Sequence, residues 1–156
     1  MDSADKAYDC ALRLLARRDH SVAELRRKLL QRGFPVEIID GLTKRLLEIG
    51  YLDDRRYAER WVVAAIANSR GYGPRLRLEL QQRGVPSELA GTVVAKLTEE
   101  CDEAETLRHL AARKFPDFDP GAATDRERRR VFGFLQRRGF SGSAIAAYFR
   151  STTKKS

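Results

Sequence analysis

Apolar residues recur along this chain at intervals of three and four, the period that places side chains on one stripe of a helix. Leu25 and Leu29 form one such pair, Leu76 and Leu80 a second, and Val131 and Leu135 a third. Each pair is followed four residues later by a glycine: Gly33, Gly84 and Gly139. The surrounding phrase repeats as well. Gln31-Arg32-Gly33-Phe34-Pro35 returns as Gln82-Arg83-Gly84-Val85-Pro86, and again as Arg137-Arg138-Gly139-Phe140-Ser141. Matched glycines behind matched stripes indicate an internal repeat of about 50 residues, the scale of a helical array.

Each copy reads as three helices. In the first, Ala7 to Arg17 carries a broad apolar face, and Asp19-His20 makes the turn, where His20 is expected to face solvent. Ser21 with Glu24 three residues on predicts a capping box ahead of a second helix that runs to Arg32. Gly33 sits where a left-handed terminating residue is wanted. Pro35 then opens a third helix, stopped by Gly50. In the second copy Asp53 is expected to cap a long helix from Asp54 to about Arg70, ended by Gly71. Pro74 starts the next helix, Gly84 ends it, and a third runs from Ser87 to Leu97. The third copy is read as helices over 101–114, 125–138 and 143–150, with a loop insertion over 115–124 that is mobile at its tip and a frayed tail from Ser151. No stretch alternates apolar and polar residues, so no strand is predicted. The expected fold is all-α: three tandem three-helix repeats over 1–52, 53–98 and 99–156, stacked into an elongated, curved array.

Charge changes this picture from a scaffold into a surface. The chain has a net charge of +8 over 156 residues. Its distribution is uneven: residues 99–125 hold eight acids against three bases, and residues 126–156 hold nine bases against one acid. The second helix is basic in every copy, through Arg26, Arg27, Lys28 and Arg32, then Arg75, Arg77 and Arg83, then Arg126, Arg128, Arg129, Arg130, Arg137 and Arg138. The acids set among them are Glu24, Glu79 and Glu127. Stacking would align these bases into a stripe suited to a polyanion or an acidic protein, and arginine is the residue for bidentate contact with carboxylate or phosphate. A solvated helix face is the bland alternative. Tyr57 and Trp61, four apart, suit packing, whereas Tyr72 between Gly71 and Gly73 is the better candidate for an exposed ring.

Candidate chemistry is sparse. Cys10 and Cys101 lie far apart without metal-ligand neighbours and are expected to stay reduced as partly buried fillers. His20 and His109 fall in different copies, with no orienting carboxylate and nucleophile. The acid pairs Asp53-Asp54 and Glu99-Glu100 are expected at helix starts, where they complement the dipole. No Gly-rich phosphate loop occurs. These readings predict no catalytic residue, cofactor or metal site. No apolar run is long enough to span a bilayer and the acidic start is wrong for a secretory signal, so a cytoplasmic protein is expected.

The stretch Gly50-Tyr51-Leu52-Asp53-Asp54-Arg55-Arg56-Tyr57-Ala58, followed by Arg70-Gly71-Tyr72-Gly73-Pro74-Arg75 and Leu78-Glu79-Leu80-Gln81-Gln82-Arg83-Gly84-Val85, resembles the RecX family of bacterial RecA regulators. The likeness covers nearly the whole chain and is loosest in the third copy. It implies a non-enzymatic, monomeric inhibitor that lies in the groove of the RecA–DNA filament and restrains ATP hydrolysis, strand exchange and filament growth, in recombination, repair and the SOS response. Asp53, Tyr57 and Arg75 match the family's core pattern; of these, Asp53 is assigned mainly to capping, Tyr57 to packing and Arg75 to touching the partner, and Arg70 and Tyr72 are counted among the expected contacts. The alternative is direct binding of single- or double-stranded DNA through helix-turn-helix-like units and the basic stripe.

Overall fold

The computed structural model describes residues 2–152, and among these the regular structure is entirely helical. Helices α1 (Ser3–Arg17), α2 (Val22–Gln31) and α3 (Val36–Glu48) form the first unit. Helices α4 (Asp54–Ala67), α5 (Pro74–Gln82) and α6 (Ser87–Glu99) form the second, and α7 (Glu103–Lys114), α8 (Asp125–Arg137) and α9 (Gly142–Thr152) the third. Among the described residues no helix is long and apolar enough to cross a membrane.

Three separate cores follow from the repeated stripes. Leu25 and Leu29 lie with Ala11, Ile39 and Leu46. Leu76 and Leu80 lie with Tyr57, Val62 and Val93. Val131 and Leu135 lie with Leu107, Phe140 and Ile145. The substantial helix–helix packing is all within a unit, so each unit carries its own core.

The second helices end alike. Gly33, Gly84 and Gly139 have φ of 87°, 94° and 99°, the left-handed region that glycine enters without a Cβ clash. In each, the amide two residues beyond the helix cap donates back to a carbonyl five residues earlier: Phe34 to Leu29 at 3.3 Å, Val85 to Leu80 at 3.0 Å and Phe140 to Leu135 at 3.2 Å. That is the Schellman closure, which satisfies carbonyls the helix would otherwise leave bare.

Several elements depart from the sequence reading. α4 stops at Ala67, three residues short of Arg70, because Ser69 takes the left-handed turn at φ 51°. Glu99 and Glu100 fall at the end of α6, not at a helix start. Asp102 caps the next helix instead, accepting from the amides of Ala104 and Glu105. Ser151 and Thr152 belong to α9 rather than to a frayed tail, whose remaining residues lie outside the described range. The loop over 115–124 is anchored at two of its residues, Phe118 and Pro120. Pro120 is buried, its carbonyl accepts from Nε and Nη2 of Arg128 at 3.0 and 2.7 Å, and the Phe118 ring lies against Tyr148 and Phe149.

Candidate functional site

The units meet through the same piece of each repeat. Ahead of α2, Ser21 accepts from the Glu24 amide at 3.1 Å and donates its own hydroxyl proton to the Arg83 carbonyl at 2.6 Å. Ahead of α5, the Tyr72 amide donates to the Arg138 carbonyl at 2.8 Å. The glycine-ended turn of one unit therefore seats on the start of the preceding unit's second helix. Asp53 caps α4 through the Arg56 amide, and Asp54 crosses the first joint to accept from the Val22 amide at 2.9 Å. Burial raises the Asp54 carboxyl above its ordinary range, against that hydrogen bond.

The predicted capping box forms by half. The Glu24 amide reaches Ser21, but the Glu24 carboxylate turns to the guanidinium of Arg18, with contacts of 2.6 and 3.1 Å. Burial opposes ionisation of Glu24, yet the Arg18 pair, with the Lys28 charge nearby, holds its carboxyl below the usual value. His20 is 3% exposed, contrary to the expectation of a solvent-facing turn. Its Nδ1 lies 2.9 Å from the Arg18 carbonyl and its Nε2 3.0 Å from Nζ of Lys28. A carbonyl accepts and an ammonium donates, so the ring is neutral with its proton on Nδ1.

The expected partner-binding residues divide into two sets. Arg27, Arg32, Arg77, Arg126, Arg129, Arg130 and Arg137 are exposed. Of these, Arg32 donates to Sγ of the half-buried Cys10 at 2.9 Å and Arg77 to the Ser87 hydroxyl at 3.1 Å, leaving their charge without a carboxylate partner. The second set holds the fold together. Arg26 pairs with Asp40, Lys28 faces His20 and Arg128 anchors the loop. Arg70 and Arg75 approach the buried Glu79 at 3.3 and 4.0 Å. Arg83 lies over the Trp61 ring at 5.2 Å and Arg138 over Phe134 at 5.2 Å.

Tyr57 and Trp61 pack as the sequence suggests, with Tyr57 in the second core and Trp61 against it. Tyr72 does not present an open ring. It stacks on Phe140 with centroids 5.6 Å apart, and its hydroxyl donates to the carbonyls of Thr98 and Cys101.

Each joint also opens a basic cleft that the second helices alone did not foretell. One, about 330 Å³, is lined by Arg18, Asp19, Tyr57, Arg60, Trp61 and Arg83. The other, about 500 Å³, gathers Arg70, Arg113, Lys114 and Arg138 around Leu110 and Phe134. Arg18, Arg60, Arg113 and Lys114 lie on or just beyond first helices and were missed. The available signal was the arginine that precedes the glycine in all three copies, Arg32, Arg83 and Arg138, since two of the three stand at a joint. Among the described residues no grouping of His, Cys, Asp and Glu could hold a metal ion.

Comparison with known proteins agrees with this architecture unit by unit. Family models described as the first, second and third three-helix domains of RecX match residues 7–46, 53–93 and 101–149. The chain is 46% identical over 152 residues to the regulatory protein RecX of Trichlorobacter lovleyi, covering 96% of this chain and 99% of that one. It is 39% identical over 143 residues to the regulatory protein RecX of Syntrophotalea carbinolica, covering 92% and 94%. The crystal structure of RecX from Lactobacillus salivarius shares the fold, with a TM-score of 0.76 at 20% identity over 97% of both chains. Three matched domains, full-length relatives and a shared helical array together make this chain a member of the RecX family of regulatory proteins.

Proposed function

We propose that this chain acts as a non-enzymatic inhibitor of the RecA recombinase, binding along the groove of the RecA–DNA filament and slowing ATP hydrolysis, strand exchange and filament growth. In the cytoplasm, as a monomer, it would thereby govern recombination, repair and the SOS response. The observation that carries this reading is the exposed set of bases on α2, α5 and α8, whose charge has no carboxylate partner among the described residues. A linear array that repeats this surface unit by unit suits a partner that is itself a repeating polymer. Its effect would come from differential affinity for filament states, since a ligand shifts an equilibrium only by that difference. The test is the DNA-dependent ATPase of RecA. Substoichiometric amounts of this protein are expected to slow it, and an unchanged rate at micromolar protein would overturn the reading.

Direct DNA binding is the second reading, favoured by Arg126, Arg129 and Arg130 standing exposed together on α8. It predicts affinity for DNA alone that falls steeply and log-linearly with salt. The filament reading predicts that DNA alone is bound weakly.

A further inference from the structure

The two joint clefts occupy corresponding positions and are both basic, but only the first is offset by carboxylates of the chain itself. At the first, the chain supplies its own carboxylates: Asp19 pairs with Arg60 at 3.0 Å and Glu24 with Arg18 at 2.6 Å. At the second, the position that corresponds to Asp19, 51 residues on as Gly84 is from Gly33, is Arg70. No acid lines that cleft. Arg70 is paired with Glu79 beneath it, while Arg113, Lys114 and Arg138 make no ion pair among the described residues. Converging cations of one sign repel each other, and an incoming anion relieves that cost.

The cations are also held in place. Arg113 donates to the Asn68 carbonyl at 2.5 Å, and Arg138 to the Arg70 carbonyl at 3.3 Å. Placing them beforehand removes much of the ordering cost that a ligand would otherwise bear. Aromatic stacking of a nucleobase is poorly served here. The Phe134 ring already carries Lys114 at 5.6 Å and Arg138 at 5.2 Å, and it meets the Phe115 ring edge-on at 5.2 Å.

We infer that the cleft between the second and third units is a carboxylate-binding site that receives an acidic peptide segment of the protein partner. The first joint shows the chemistry in miniature, since an aspartate and a glutamate pair with two of its three arginines from within. At the second joint the carboxylates come from outside, and the planar guanidinium forks suit them. This inference rests on the reading that the partner is a protein.

The test uses the intact protein and a fluorescein-labelled hexaglutamate peptide, followed by fluorescence anisotropy. Lys114→Glu is the informative variant, because Lys114 is exposed and its ammonium lies over Phe134 without holding backbone. Lys44→Glu, at an exposed base of α3 outside both clefts and outside the second-helix stripe, makes the same change in net charge. The expected result is that Lys114→Glu weakens peptide binding about tenfold or more, and Lys44→Glu far less, because like charge inside a cleft is costlier than on a rim. Equal losses, or no binding by the wild type, would overturn the inference. So would an oligothymidylate that displaces the peptide and itself loses affinity in Lys114→Glu, since the cleft would then be a phosphate site. RecA ATPase separates the role of the cleft from inhibition itself. Slowing by the wild type and by Lys114→Glu alike would sink the cleft and leave the inhibitor reading standing. Absence of slowing by the wild type would sink the inhibitor reading, with the peptide titration still deciding the cleft.

Discussion

A Cβ placed on Gly139 would lie 1.7 Å from the carbonyl oxygen of Tyr72, closer than any non-bonded contact allows. The third unit seats its turn directly on the backbone that opens α5, and only a residue without a side chain fits there. The corresponding atom on Gly84 would meet Cβ of Ala23 at 2.6 Å, whereas on Gly33 it would meet nothing within 4 Å. Alanine substitution is therefore expected to give a graded series. Gly33→Ala costs about 1–2 kcal/mol from left-handed strain alone. Gly84→Ala costs more, and Gly139→Ala most of all, because the third unit must shift off the second. Urea denaturation of the three variants reads the order directly, and equal losses would show that the joints do not constrain the turns.

Stability should depend on pH through His20. Burial is the main cause that lowers its pKa, and the charges of Arg18 and Lys28 add to it against the hydrogen bond to the Arg18 carbonyl. The unfolded chain then binds a proton more readily than the folded one. Stability is full above the ordinary histidine value near 6.5 and is lost as pH falls through it toward the lower folded value. Denaturation midpoints measured between about pH 7.5 and 5 are expected to fall, and His20→Asn to flatten that part of the profile. A profile unchanged by the substitution would show that another group governs it.

Arginines along α8 that look equivalent in the sequence should behave differently. Reversing Arg129 and Arg130 to glutamate is expected to weaken partner binding while helical circular dichroism and thermal midpoint stay the same. Arg128→Ala removes both hydrogen bonds to the Pro120 carbonyl and is expected to lower the thermal midpoint. A buried acceptor left bare costs about 1–3 kcal/mol. If Arg129 and Arg130 can be reversed with no change in the proposed RecA inhibition, the exposed stripe on α8 is a solvated face.

The repeat and its glycine turns were legible because the information is local. A stripe of residues four apart, a glycine and a capping serine each act within one or two helical turns. At two of the places where the reading failed, a distant unit had intervened. Gly71 is the obvious helix stop in the sequence, but Ser69 takes the left-handed turn, and Arg113 from the third unit donates to the carbonyls of Asn68 and Ser69 that flank it. Tyr72 stands between two glycines and reads as exposed, yet Phe140, 68 residues on, covers its ring. The clefts were invisible for the same reason. Arg113 and Lys114 close an ordinary amphipathic helix, and nothing near them in sequence announces that Arg70 and Arg138 will stand alongside.

Ser21→Ala tests a residue with two duties. An N-cap of this kind contributes about 1 kcal/mol. Here the same hydroxyl also donates to the Arg83 carbonyl across the first joint, so the loss is expected to exceed that figure. Chemical denaturation followed at Trp61, in the second unit, should register a substitution made in the first.

That shared hydroxyl has a consequence for how the molecule folds. Initiating α2 and docking the second unit are one event at Ser21, because a single oxygen orders the helix start with its lone pair and recruits the neighbour with its proton. Each of three small cores would melt readily alone. Tying nucleation of one helix to the arrival of the next unit makes the links of the chain cooperative, so the first two units rise and fall in protection against hydrogen exchange together.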